Sequence, residues 1–193
     1  MLKSCFLLVS VMATLFFAGQ GHAQTPGIVG AAAPRWDVGT WYNLPEGVEA
    51  LDVDDYRGKV LYLYGFQSWC PGCHSRGFPS LLEVMKHYKE RDDIQFVAIQ
   101  TVFEGFGTNT AEKAKETADA FGLSIPIGHD PGSSGKRSNI LERYRTGGTP
   151  WTMLIDRAGV VRANDFFMSP KESIEILDGL LAEKDESLPS GSE

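Results

Sequence analysis

The chain has 193 residues with 18 basic and 25 acidic side chains, a net charge of −7. That is the length of one domain with a little extra, and the acidic balance does not suit nucleic acid or an anionic membrane surface. Three cysteines are too few for a small fold stapled by several widely spaced disulfides.

In chain order, the first residues stand apart from the rest. Lys3 supplies a positive start, Ser4 to Ala18 is apolar and uncharged, and Gly21-His22-Ala23 offers the small residues that a signal peptidase reads. Residues 1–23 are therefore expected to be a signal peptide and the mature protein to be periplasmic, beginning at Gln24. The apolar stretch is short for a membrane span of roughly 20 residues, so membrane attachment is expected only if this segment stays uncleaved. Residues 24–50 read as an N-terminal extension that starts with a flexible, Gly/Ala/Pro-rich lead-in to about Ala33. Residues 51–182 read as the folded domain, and residues 183–193, polar with Ser, Pro and Gly, as a disordered tail.

Within the domain, Val60 to Phe66 (VLYLYGF) is a continuous apolar run rich in strand formers, the pattern of a buried central strand. Phe78, Leu81, Leu82, Met85 and Tyr88 recur at helical spacing. Ile94 to Val102 reads as a second strand, Thr110 to Phe121 as a helix closed by Gly122, Ile125 to Ile127 as a short strand and Ser138 to Tyr144 as a short helix. Trp151 to Ile155 and Val160 to Ala163 are strands joined by the turn Asp156-Arg157-Ala158-Gly159, and Lys171 to Leu181 is a closing helix with Ile174, Leu177 and Leu181 on one face. Strand and helix alternate before a hairpin and a last helix, which predicts an α/β fold with a central mixed sheet and helices on both faces.

The chemistry centres on WCPGCH, Trp69 to His74. Cys-x-x-Cys-His is the attachment signature of a c-type haem, and Trp-Cys-x-x-Cys is also the pattern of a thiol–disulfide site. The position of the motif separates the two readings. Cys70 falls where a buried strand ends and a helix begins, whereas a haem needs a mostly helical wrap with a distal ligand. A helix start presents free N–H groups and the positive end of the macrodipole, and both stabilise a thiolate. Pro71 suits the first helical position, Gly72 admits another backbone, and Cys73 lies one turn on, on the same face as Cys70. Removing residues 1–23 removes Cys5 and leaves only this pair, which closes too short a loop to add much stability. The arrangement is an acidified nucleophile with a second thiol to resolve a mixed disulfide, and Trp69 covers the rim.

These features resemble the extracytoplasmic TlpA/ResA-like thiol–disulfide oxidoreductases of the thioredoxin-like, redoxin/AhpC-TSA-related superfamily, over roughly Leu51 to Leu181. Arg57 to Cys73 (RGKVLYLYGFQSWCPGC) resembles the family's first strand and active site. Phe78-Pro79 resembles the proline that bends the active-site helix, and Gly147 to Val161 (GGTPWTMLIDRAGVV) resembles its cis-proline, strand and hairpin. The additional strand–helix unit in the middle is similar to the family's insertion. The resemblance implies a thioredoxin-like fold, exchange of electrons with protein thiols and disulfides through Cys70 and Cys73, and a separate redox partner protein. It also implies a cis bond at Thr149-Pro150, facing the cysteines, with Trp69, Thr149 and Pro150 contacting the client. Taken alone, an X–Pro bond is expected to be trans. No cofactor and no metal are expected.

The sequence also departs from that pattern. Where thioredoxins bury an acid six positions before the first cysteine, this chain has Tyr64. The glutamate expected on the helix after the second cysteine is missing, with Arg76 and Gly77 in that region. Pro79 stands six residues after Cys73, one more than expected. Glu104, at the carboxyl end of the second strand, is a candidate proton acceptor for Cys73, with a solvated loop carboxylate as the alternative. An alternative function is copper binding in a thioredoxin-like fold, with Cys70, Cys73 and either His74 or His129 as soft ligands. His74 is otherwise expected on the exposed helix face, His129 and Asp130 in a surface turn, and Met153 in the core. Trp151 fits either the core or the groove beside Pro150. A peroxidase of the peroxiredoxin kind is disfavoured because Gln67 stands three positions before Cys70, where its Thr or Ser would be.

Overall fold

Seven consecutive apolar residues cannot face water on either side, and every position of Val60–Phe66 is buried. That strand sits inside a six-stranded sheet. In chain order the strands are β1 Thr40–Tyr42, β2 Val60–Phe66, β3 Ile94–Thr101, β4 Ile127–Asp130, β5 Trp151–Ile155 and β6 Val161–Phe166, and the helices are α1 Phe78–His87, α2 Ala111–Ala120, α3 Asn139–Arg143 and α4 Pro170–Ala182. The computed structural model describes residues 28–183. The expected signal peptide and Lys184 onward in the tail lie outside the described residues. The spatial order is β1-β4-β3-β2-β5-β6. Strands β2, β3 and β4 run parallel, and β1, β5 and β6 pair antiparallel with their neighbours. This is the mixed α/β sheet that the alternation of elements predicts.

The period-2 geometry of β2 divides the core in two. Tyr62, Tyr64 and Phe66 point to the face covered by Phe78, Leu81 and Val84 of α1, Ala114 and Ala118 of α2, and Leu177 and Leu180 of α4. Leu61 and Leu63 point the other way, toward Trp36, Val53, Ile140, Tyr144 and Met153. Met153 is thus core. Most helices begin on a sequence-encoded cap. The Thr110 side chain accepts from the Lys113 amide, and Ser169 with Glu172 closes a capping box at α4, each of which satisfies amides that the helix itself leaves free.

Three expectations are corrected. The flexible lead-in and separate extension become part of the sheet in their described portion. Gly30 donates to Val161 O (2.8 Å), Val161 to Ala31 O (2.9 Å) and Ala33 to Gly159 O (2.8 Å), so the chain runs beside the start of β6. It then crosses one face of the sheet, buries Trp36 completely, and supplies β1 at the opposite edge. Small residues here allow close packing along a strand, which composition alone reads as flexibility. Next, β4 is shifted from Ile125–Ile127 to Ile127–Asp130 and takes in His129 and Asp130, both buried. Their polarity suggested a surface turn, but each is satisfied inside. Asp130 accepts from the Ser138 hydroxyl (2.5 Å) and from the Ile140 (2.8 Å) and Gly132 (2.9 Å) amides, and His129 Nδ1 accepts from Gln100 Nε2 (2.8 Å). Lastly, β6 continues past Ala163 to Phe166, because its partner β5 continues opposite it.

The helix that follows the cysteines is not uniform. Pro71 and Gly72 are helical, Cys73–Gly77 forms a π-turn, and α1 continues from Phe78. The Phe78 N–H bonds to the Cys73 carbonyl, five residues back. A π-turn takes up one extra residue without breaking the helix. That accounts for the six-residue spacing from Cys73 to Pro79.

Candidate active site

Strand β2 ends at Phe66, and the chain turns through Gln67, Ser68 and Trp69 before the Cys70 amide donates to the Gln67 carbonyl (3.0 Å). Cys70 therefore stands at the mouth of the helix. The Cys73 N–H, in the first turn of the helix, is shared between the Cys70 carbonyl (3.1 Å) and Cys70 Sγ (3.2 Å). The two thiols are not bonded to each other. Cys70 keeps 8% of its surface exposed and Cys73 none.

The antiparallel pairing of β2 with β5 sets the opposite wall. Gly65 lies opposite Trp151 and Tyr64 opposite Thr152, so the residues just before β5 arrive above the helix start. The Thr149–Pro150 bond is cis. The Cys70 thiol faces the Thr149 carbonyl at 3.6 Å. A Cβ on Gly72 would meet Pro150 Cδ at 3.4 Å, an ordinary contact distance, so helix and loop lie against each other here. Thr149 turns its carbonyl to Cys70 and its hydroxyl to Cys73.

Burial pushes the Cys73 thiol up to about 12 from an ordinary 9.0, with the neighbouring Cys70 adding to the effect, while the Gln67 backbone and the Thr149 hydroxyl pull it down. The linkage sign follows. The unfolded thiol ionises near 9 and the folded one near 12, so between these values the unfolded chain binds fewer protons and stability falls as pH rises. This contribution is complete below about pH 9 and is lost by about pH 12. Urea denaturation of the reduced protein should therefore show a steeper loss between pH 9 and 11 than the same measurement on Cys73→Ala, by no more than about 1.4 kcal/mol per pH unit. The buried tyrosines, which also titrate upward, are common to both proteins. Equal losses would show that the Cys73 thiol is not held neutral by the fold.

The remaining candidates fall into two groups. Trp69 is 48% exposed and lies beside Gly105 at the rim. Trp151 is buried, and its indole N–H donates to Asn164 Oδ1 (2.5 Å). It also helps line an open groove of about 610 Å³ with Gly147, Phe166 and Met168, so it serves core and groove together. Glu104 does not join the cysteines. It is exposed whereas Cys73 has no exposed surface, and its recorded bond is a backbone one, its carbonyl accepting from Asn109 Nδ2 (3.1 Å). Of its two readings, this exposure favours the solvated loop carboxylate. His74 Nε2 pairs with the Ser68 carbonyl (2.6 Å), and its ring packs on Phe78 and Phe121. With His129 bonded to Gln100, neither histidine completes a copper site with the thiols. Among the described residues no group of three His, Cys, Asp or Glu side chains is placed to hold a metal ion.

The structure adds a buried polar clamp that the sequence reading missed. Asn109 accepts from the Ser68 amide (2.9 Å) and donates to Gln67 Oε1 (3.0 Å). Gln100 accepts from the Ser68 amide (3.2 Å) and the Ser68 hydroxyl, and donates to the Thr110 carbonyl (2.9 Å). These side chains fix the turn that carries Cys70. The available signal was Gln100 itself, a polar residue directly after the apolar run Phe96 to Ile99, where only a hydrogen-bonded role makes burial tolerable.

Comparison with known proteins agrees with this geometry. Redoxin matches residues 29–179. Thiol-disulfide oxidoreductase ResA of Geobacillus kaustophilus is 34% identical over 123 residues, covering 64% of this chain and 63% of that protein. Its counterpart in Geobacillus thermodenitrificans is 31% identical over 156 residues, 81% of this chain and 79% of that one. The crystal structure of a thiol-disulfide isomerase from Corynebacterium glutamicum superposes with a TM-score of 0.68 at 30% identity, covering 80% of this chain and 98% of that one.

Proposed function

The chain belongs to the Redoxin family and is a thioredoxin-like thiol–disulfide oxidoreductase of the TlpA/ResA-like kind, and from that premise we propose that it works outside the cytoplasm on protein clients, with Cys70 as the attacking thiol and Cys73 as the resolving one. Its substrates are protein thiols and disulfides, and a separate redox partner protein restores its oxidation state.

The observation that carries the assignment of roles is the difference between the two sulfurs. Cys70 meets solvent and receives the N–H of Cys73, whereas Cys73 is sealed and held protonated by burial. A thiolate is the nucleophile in exchange, so the sulfur that reaches solvent and accepts a backbone N–H attacks first. Trp69, Thr149 and Pro150 frame Cys70 and form the client contact. The extracytoplasmic setting is supported by the pattern Lys3, Ser4 to Ala18 and Gly21-His22-Ala23, and by the presence of one close cysteine pair after it. No helix among the described residues is long and apolar enough to cross a membrane.

A redox titration of the purified protein against glutathione, read by alkylation of Cys70 and Cys73, tests the core of this reading. Both thiols should disappear together in one two-electron transition. Independent oxidation of the two, or no disulfide between them at any ratio, would reject it.

A further inference from the structure

Tyr64 stands where the related thioredoxins keep an acid, and it is no spectator of the core. Its side chain is almost completely buried, yet among the described residues its hydroxyl has no partner in good hydrogen-bond geometry. An unpaired buried hydroxyl is destabilising and uncommon in native proteins, which points to a partner acquired at another stage of the reaction cycle. The ionisable groups around it are the Cys73 thiol, close enough to act as its hydrogen-bond partner, and then Tyr62 and Cys70.

The backbone has been shaped around this phenol. The π-turn Cys73–Gly77 places Gly77 over the ring. A Cβ at position 77 would collide with the Tyr64 hydroxyl and would lie 2.8 Å from Pro150 Cβ. The missing glutamate on this helix, the extra residue before Pro79, the glycine and the tyrosine are thus one arrangement. The space that a side chain at 77 would fill is occupied by a hydroxyl reaching toward the second cysteine.

We propose that Tyr64 is the hydrogen-bond donor to Cys73 as that thiol becomes a thiolate in the resolving step. The inference rests on the reading of Cys73 as the resolving thiol. In that step the Cys73 sulfur attacks Cys70 in the mixed disulfide. The bond between Cys70 and the client sulfur breaks, and the client sulfur leaves with the electron pair and takes up the proton that Cys73 gave up. The products are the Cys70–Cys73 disulfide and a client thiol. An anionic sulfur in a sealed apolar site needs donors. The Thr149 hydroxyl and the Gln67 backbone provide part of this, and the phenol provides a further donor that carries no charge of its own. Burial holds the phenol protonated well beyond its ordinary range, so it remains a donor wherever the protein works. A buried carboxylate would instead add a negative charge beside the forming thiolate.

The test uses the reduced full-length protein and Ellman's aromatic disulfide, whose released thiol is coloured. Attack by Cys70 releases one coloured thiol and resolution by Cys73 releases a second, so the two steps appear as separate phases. Tyr64→Phe keeps the ring and removes only the hydroxyl. The expected result is an unchanged first phase and a second phase slowed about tenfold, the loss expected for one hydrogen bond to a charged group, with thermal stability equal to or above that of the parent. An unchanged second phase, or equal slowing of both phases with a lower melting temperature, would overturn the proposal and leave Tyr64 as packing. Absence of a second phase in the parent protein, or its survival in Cys73→Ala, would instead overturn the underlying assignment of Cys73.

Discussion

Replacing Cys70 with alanine should lower exchange to background, a loss on the order of a thousandfold or more, while replacing Cys73 with alanine should leave the first attack intact and halt the reaction at a mixed disulfide. The asymmetry follows from position. Without Cys70, the remaining sulfur has no exposed surface and is held neutral chiefly by burial. Without Cys73, Cys70 keeps its place at the helix start, the backbone N–H of residue 73 still points at its sulfur, and the Thr149 carbonyl still faces it. Non-reducing electrophoresis after incubation with a reduced and reoxidised client should show a stable adduct for Cys73→Ala and almost none for Cys70→Ala. Equal adduct formation by both variants would contradict the assignment.

Replacing Trp36 with alanine should cost about 3–5 kcal/mol, the usual range for removing a buried tryptophan, and so a large share of the 5–15 kcal/mol by which most domains are stable. Trp36 is wholly buried, and its ring centroid lies 5.9 Å from that of Trp41 and 5.7 Å from that of Tyr56. Its indole N–H donates to the Tyr144 hydroxyl (3.0 Å), which in turn donates to the Pro34 carbonyl (2.8 Å). Its amide is held by Asp52 (2.9 Å). The substitution therefore opens a cavity and strips a buried hydroxyl of one partner at once. Trp36 and the cysteines lie in different cores, so the molecules that remain folded should exchange thiols at the parent rate. Urea denaturation together with Ellman kinetics at low temperature checks both halves. A drop below about 1 kcal/mol would show that the N-terminal segment rests on the sheet without supporting it.

Much of this was legible in the chain because the signals are local. Seven apolar residues in β2, the helical spacing from Phe78 to Tyr88, and the hairpin turn with Gly159 at φ +73° each state their structure within one element. The cysteine pair is equally local, since a helix start after a buried strand is enough to suggest its chemistry. What was not legible depends on distant pairing. Thr40–Tyr42 is three residues long and becomes a strand only because β4 lies beside it. His129 and Asp130 look like surface residues until Gln100, Ser138 and the α3 amides arrive to bond them. The orientation of Thr149, carbonyl to one sulfur and hydroxyl to the other, depends on the β2–β5 register, which no motif encodes. The spacing of Pro79 was visible as an anomaly, but its meaning required the π-turn.

The path of residues 28–42 has a consequence for the protein's conduct in company. A sheet edge with free N–H and C=O groups is a template on which another chain can add a strand. One edge of this sheet ends in β1, only three residues long. At the other, the stretch from Gly30 to Ala33 occupies the backbone groups of Gly159 and Val161, and β6 continues with the exposed charges of Arg162 and Asp165. The same short segment thus blunts both ends of the ladder. A protein that exchanges thiols and disulfides with other protein chains meets them at close range, and this one leaves them little ladder to extend.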